Sequence, residues 1–159
     1  MPIISATQGP HPLIDGRQSE RAMRVRRGIQ IMMSEMGFAV LPELVLTTGR
    51  RADLVGLTSD GEIWIVEVKS SIEDMRTDSK WNEYCDYCDA FAFATLPDVP
   101  RDVFPSDEGF IVADAYGAEI VGSPKQHTLP AARRKAMLIR IAQAASRKLM
   151  AAEWAAIDI

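Results

Sequence analysis

Two short segments of this chain are built to pair as a hairpin, and that pairing constrains everything around them. Residues 52–57 and 62–69 are rich in β-forming apolar side chains, and Ser59-Asp60-Gly61 between them carries turn residues. Each segment also carries an acid where a solvated charge is least expected. These are Asp53 in Arg51-Ala52-Asp53-Leu54-Val55 and Glu67 in Glu67-Val68-Lys69. Side chains alternate along a strand, so Glu67 and Lys69 share a face roughly 7 Å apart.

Loop length decides whether the two acids meet. A two-residue loop, Asp60-Gly61, sets Asp53 opposite Val68 and turns Glu67 to the other face. A three-residue loop, Ser59-Asp60-Gly61, uses a type I turn with glycine in the left-handed region. Leu57 then faces Ile63, Val55 faces Ile65 and Asp53 faces Glu67. We prefer this second register because one face becomes a row of apolar pairs ending in the two acids. Opposed Cβ atoms lie roughly 5 Å apart, and like charges there repel. A bound cation would reverse that penalty. The competing reading leaves one acid exposed at a fraying strand end and the other paired with Lys69 or Arg51.

The chemistry suits Mg²⁺, with Mn²⁺ as a substitute. Mg²⁺ prefers an octahedral oxygen shell, keeps several waters and takes only one or two carboxylates. Asp53 and Glu67 supply these, and the backbone carbonyl of Val68 could add a ligand. Lys69 would orient an attacking water or stabilise the charge that grows on phosphorus. Glu20, near the start of the first helix, is a further candidate acid, although an acid in a first helical turn is favourable in its own right. Arg50 and Arg51 precede the Asp53 strand, and Arg24 and Arg27 share a helix face. With Lys80, they are the candidate contacts to a nucleic-acid backbone. Tyr84, one helical turn from Lys80, reads as core packing. Arg133, Arg140 and Arg147 recur every seven residues beside Arg134 and Lys148, and a solvated surface is the safer reading of that stripe.

Organisation along the chain is α/β. Residues 1–16 hold three prolines and two glycines and read as a flexible tail. Residues 17–159 read as one domain. Helical spacing of Ala22, Val25, Ile29, Met32, Met33 and Met36 predicts a helix over 18–36, with Ser19 as N-cap and Gly37 just beyond its end. A strand over 38–46 carries Pro42, which places it at an edge or a bulge. The strand over 62–69 is apolar on both faces and reads as central. A short helix over 79–88, a strand over 90–95, and strands over 109–113 and 118–121 follow. Pro130 opens a long helix with Leu138, Ile141, Ala142, Ala145, Leu149 and Ala152 inward. Helices on both sides of a mixed sheet are expected.

Charge narrows the partners. The net charge of −4 attracts no polyanion globally. Its distribution is uneven: residues 17–51 carry seven bases and three acids, 125–148 seven bases and no acid, and 52–120 sixteen acids against four bases. Basic flanks around an acidic centre suit a metal site that grips a polyanion. No apolar run approaches the ~20 residues that span a bilayer, so no membrane partner is expected. The first residues lack the basic and apolar regions of a signal peptide, and the cytoplasm is the expected location. Cys85 and Cys88 cannot complete a tetrahedral zinc site alone, and His11 and His127 have no matching spacing.

The set Glu20, Asp53, Glu67-Val68-Lys69 and the turn from Lys80 to Tyr84 resembles the PD-(D/E)xK nuclease superfamily, with Ala52 in place of the proline before the aspartate. More closely, Arg50-Arg51-Ala52-Asp53-Leu54-Val55, Ile65-Val66-Glu67-Val68-Lys69-Ser70-Ser71 and Lys80-Trp81-Asn82-Glu83-Tyr84-Cys85-Asp86 resemble the MmcB family of bacterial DNA-repair proteins over residues 17–150. The resemblance implies a PD-(D/E)xK core, DNA as partner alongside other repair proteins, and Mg²⁺-dependent endonuclease activity in repair. The alternative is a non-cleaving DNA- or partner-binding module on the same fold. Cutting both strands would favour a homodimer, for which the sequence offers no coiled-coil seam.

Overall fold

The computed structural model describes residues 19–157, so the tail at 1–16 and His11 lie outside the described residues. Helix α1 (Glu20–Glu35) starts where the Ser19 hydroxyl accepts the Ala22 N–H at 3.1 Å. It ends as Gly37 turns to φ +91° and the Phe38 N–H reaches back to the Met33 carbonyl at 2.9 Å. Strands β1 (Ala39–Val45), β2 (Arg51–Leu57) and β3 (Ile63–Val68) follow as an antiparallel meander. Helix α2 (Ile72–Thr77) and a 3-10 helix (Trp81–Tyr87) then lead to β4 (Ala90–Thr95). A further 3-10 turn (Arg101–Val103) precedes β5 (Gly109–Ala113), β6 (Ala118–Gly122), the two-residue β7 (Lys125–Gln126) and α3 (Ala131–Ala156).

The strands form one mixed sheet of seven, in the order β1-β2-β3-β4-β5-β6. The pairs β3–β4 and β4–β5 are parallel, β5–β6 is antiparallel, and β7 pairs antiparallel with the start of β4. β1 is an edge strand, as Pro42 requires. β3 is central and covered on both faces, which explains its unbroken apolar run. On one face Val25, Ile29 and Met33 of α1 bury against Leu54, Val66, Ala92 and Ile111. On the other, Val55, Ile63, Ile65, Phe91 and Phe93 pack with Met75, Tyr84, Phe104, Met137 and Ile141.

Two expectations need correction, and one helix was missed. Helix α2 was not foreseen, because six residues are too few to establish a period. The helix expected over 79–88 is a 3-10 helix from Trp81 to Tyr87. The inner face of α3 rests on Met137 and Ile141, whereas Leu149 is 61% exposed and Ala142, Ala145 and Ala152, also expected inward, are exposed. At ~1.5 Å per residue a helix of this length outruns the sheet it lies on. The described residues contain no helix long and apolar enough to cross a membrane.

One close approach fixes α1 against the sheet. A Cβ on Gly28 would overlap the carbonyl oxygens of Asp114 and Gly117 in the β5–β6 turn. Because the colliding atoms are backbone, Gly28→Ala is expected to cost about 1–3 kcal/mol. Urea denaturation measures this directly, and an unchanged midpoint would mean that the turn yields freely.

Candidate metal centre at the ends of two strands

Gly61 takes φ +87° and its N–H donates to the Thr58 carbonyl at 3.1 Å, closing the three-residue loop. Leu57 pairs with Ile63, Val55 with Ile65 and Leu54 with Val66. One further step along this register opposes Asp53 and Glu67. There, side chains take over from the backbone ladder. Glu67 Oε1 accepts the Asp53 N–H at 3.0 Å, and Asp53 Oδ2 accepts the Val68 N–H at 2.8 Å.

The two acids differ in exposure. Glu67 is 5% exposed, whereas Asp53 opens onto a cleft of about 290 Å³ lined also by Arg51, Val68, Lys69, Ser70 and Asp74. Burial pushes the Asp53 carboxyl up to about 6, against the lowering effect of the Val68 N–H and of the Lys69 charge. Burial first, and then the Asp53 charge, raise Glu67 well above the usual carboxylate range. Both acids therefore hold their protons more tightly than exposed carboxyls do.

Lys69 is buried beside them and donates from Nζ to Asp78 Oδ2 at 2.7 Å. Burial alone would lower its pKa. The hydrogen bond and charge of Asp78, helped by Glu67 and Asp74, more than offset this, so the ammonium is held charged. Asp78 is fixed in turn by the Lys80 N–H at 3.0 Å. Thr95 Oγ1 donates to the Lys69 carbonyl at 2.6 Å and the Lys69 N–H to the Ala94 carbonyl at 2.9 Å, so β4 holds the backbone that carries the lysine.

The other expected residues divide by location. Arg51 lines the cleft, and its carbonyl accepts the Tyr84 hydroxyl at 3.0 Å. Arg50 bonds Glu83 at 2.7 Å with its guanidinium 5.5 Å from the Tyr84 ring centroid. Lys80 is exposed. Glu20 does not join the acids: it pairs with Arg24 at 2.8 Å and lines a separate depression with Arg24, Arg27 and Ala115. Arg27 is tied there to the Ala115 carbonyl at 2.6 Å. Of the α3 stripe, Arg133 bonds the Asp86 carbonyl at 3.1 Å and Arg140 the Val45 carbonyl at 3.0 Å. Arg133 and Arg147 are exposed, as expected of a solvated surface, and Arg140 is half-buried; the bonds of Arg133 and Arg140 also tether the helix to its neighbours. Arg134 grips Asp89 through two bonds of 2.6 and 2.7 Å.

Sequence reasoning missed Asp74, Asp78, Arg26 and Glu43. Asp74 accepts the Ser70 N–H at 3.0 Å and faces the same cleft as Asp53; the capping pattern Ser71-x-x-Asp74 was a usable signal for its helix. Arg26 is buried 3.7 Å from Glu43, whose Oε1 has no hydrogen bond. The β1–β2 register sets Glu43 across from Asp53. Nothing local in the sequence distinguishes Arg26 from the exposed arginines around it.

Comparison with known proteins bears on this arrangement. No curated protein matches the chain. A solved structure of a protein of unknown function from Silicibacter pomeroyi is similar at 36% identity and a TM-score of 0.82, covering 86% of this chain and 93% of that one. Residues 9–156 match the family described as DNA repair protein MmcB-like. That match covers nearly the whole chain, and the protein therefore belongs to the MmcB-like family of DNA repair proteins.

Proposed function

We propose that this protein is a Mg²⁺-dependent DNA endonuclease of DNA repair, built on a PD-(D/E)xK core. The observation that carries the reading is the opposition of Asp53 and Glu67 beside a charged, buried Lys69. Burial penalises the charged form of both carboxylates, and a neighbouring charge adds to it, Asp74 at Asp53 and Asp53 at Glu67, so the donor set fits a hard divalent ion. Asp53 and Glu67 would hold Mg²⁺, with Val68, which lines the same cleft, offering its carbonyl. When bound, the ion would neutralise charge on a phosphodiester oxygen and lower the pKa of a coordinated water.

The remaining work falls to the chain itself. Lys69 presents a fixed positive charge at the cleft, where it stabilises the phosphorane and donates a hydrogen bond to the nucleophile or a phosphoryl oxygen. Asp78 is the positioning residue that aims and charges it. Arg51 within the cleft, with Arg50 and Lys80 on the neighbouring surface, contacts the DNA backbone. Arg24 and Arg27 could engage only a duplex long enough to reach the separate depression near Ala115.

Incubating the protein with single-stranded, duplex, flapped, nicked and branched DNA, with Mg²⁺ or Mn²⁺, tests the reading. Cleavage of at least one substrate by wild type and none by Asp53→Ala is expected. Equal cleavage by both would assign the activity to a contaminant. A second reading, a DNA- or partner-binding module without cleavage, is favoured by one observation: the Lys69 ammonium is engaged by Asp78. Saturable DNA binding with no cleavage of any substrate would select it.

A further inference from the structure

A second group of metal-ligand residues lies at the other end of the sheet. Cys85 belongs to the 3-10 helix Trp81–Tyr87, Glu108 immediately precedes β5, and His127 immediately follows β7. The pairing of β7 with the start of β4, and of β4 with β5, draws these segments together. One ligand atom from each of the three residues lies within 4.8 Å of the others. From there β4 runs six residues to Thr95, beside Lys69, so the group is roughly 17 Å along the strand from the acid pair.

Two of the three residues are left incomplete by the protein. Glu108 is 8% exposed, and its Oε2 is buried with no hydrogen-bond partner. His127 Nε2 is buried and equally unpartnered. Buried polar atoms are normally satisfied, and each exception calls for a cause. An imidazole and a carboxylate this close would ordinarily bond each other, yet neither of these atoms does so. The backbone holds His127 in place, its N–H donating to the Asp89 carbonyl at 2.7 Å. Thiol, imidazole and carboxylate are the donors that suit zinc, and three protein ligands with an open fourth position are an established zinc arrangement. Tetrahedral ligands stand roughly 3.3–3.8 Å apart, so side-chain rotations that close the group by about 1 Å would complete the shell.

We infer that Cys85, Glu108 and His127 form a Zn²⁺ site, with water in the fourth position, that ties the 3-10 helix to the segments flanking β5 and β7. Loading forms a zinc–sulfur bond and releases the Cys85 thiol proton to solvent. Burial, followed by the Glu108 charge, otherwise keeps that proton on, with the thiol pushed up to about 11. The site does not depend on the nuclease reading.

The test is titration of the metal-depleted full chain with Zn²⁺ by calorimetry and with Co²⁺ by absorbance. In Asp53→Ala, which lacks the acid-pair site, one Zn²⁺ per chain is expected, together with a thiolate-to-cobalt charge-transfer band. Cys85→Ser should abolish the band. His127→Gln and the isosteric Glu108→Gln should each weaken Zn²⁺ binding at least about tenfold. With the acid-pair site removed by Asp53→Ala, Zn²⁺ should raise the Tm unless Glu108→Gln is added, which keeps the test informative if Cys85→Ser fails to fold. Asp53→Ala should bind Zn²⁺ and give the cobalt band as wild type does. Absence of saturable binding, or binding unchanged in both His127→Gln and Glu108→Gln, would overturn the inference.

Discussion

Lys69→Met is expected to lower Mg²⁺-dependent DNA cleavage by about 10²–10³-fold, the usual scale for removing one preorganised donor from a developing oxyanion. Asp53→Asn should lower it at least as far. An asparagine oxygen can still accept the Val68 N–H that Asp53 accepts at 2.8 Å, so the strand end should survive while the charge is lost. Asp78→Asn separates positioning from chemistry. It keeps an acceptor for the Lys80 N–H but removes the charge paired with Lys69 at 2.7 Å. A loss of about tenfold is expected. The Lys69 pKa should fall, because Asp78 is the chief group holding it up against burial. Cleavage by Asp78→Asn should therefore weaken at high pH sooner than in wild type. Circular dichroism should show all three variants folded. An Asp78→Asn profile that overlays the wild-type profile would remove Asp78 from the site, and full activity in Lys69→Met would remove the lysine.

How much of this was legible depends on how local each signal is. The hairpin register was readable because strand period, turn chemistry and one left-handed glycine all agree at Ser59-Asp60-Gly61. That agreement placed Asp53 opposite Glu67 before any tertiary contact was known. Helix α1 was equally local, with its cap at Ser19 and its stop at Gly37. Helix α2 was not, since Ile72–Thr77 contains less than two turns. The partner of Lys69 was also hidden, because Asp78 reaches it only through the path that α2 imposes on the chain.

Resemblance and geometry part company at the first helix. Glu20 was a candidate by its place in a motif, yet it faces Arg24 and the depression near Ala115. The acid that does share the Asp53 cleft is Asp74, which comes from α2. The heptad spacing of Arg133 and Arg140 reported helix periodicity correctly, but spacing alone could not say that carbonyls of Asp86 and Val45 would claim those side chains. The group Cys85, Glu108 and His127 was hidden for the same reason: spacing set Cys85 and His127 aside, and nothing in the sequence pointed to Glu108. Its members meet only because β7 folds back onto β4.

Mg²⁺ is expected to stabilise the protein far more at pH 7.5 than at pH 5, and the sign follows from the acids. In the metal-free fold Asp53 is raised from 3.8 to about 6, and Glu67 is raised well above 4.5, burial being the main cause for each. Once unfolded, both return to ordinary values. Above about pH 4 the folded state therefore binds more protons than the unfolded state. Stability contributed by these groups is present at low pH and lost as pH rises through their folded pKa values. Asp78 and Asp89 run the other way. Bonds from Lys69 and Arg134 hold them below 3.8, so they lose their contribution only in stronger acid. A divalent cation relieves the repulsion between Asp53 and Glu67 but must first displace the protons that burial favours on them. Near pH 5 it competes with that proton and gains little. At pH 7.5, Mg²⁺ at ten times its Kd should add about 1.4 kcal/mol, or about 3–6 °C in Tm. Asp53→Asn should raise the metal-free Tm at pH 7.5, because one buried charge is gone, and should abolish the Mg²⁺ shift at both pH values. Thermal melts of the two proteins at both pH values, with and without Mg²⁺, measure every term. A Mg²⁺ shift of equal size at pH 5 and 7.5, or one retained by Asp53→Asn, would place the ion elsewhere on the molecule.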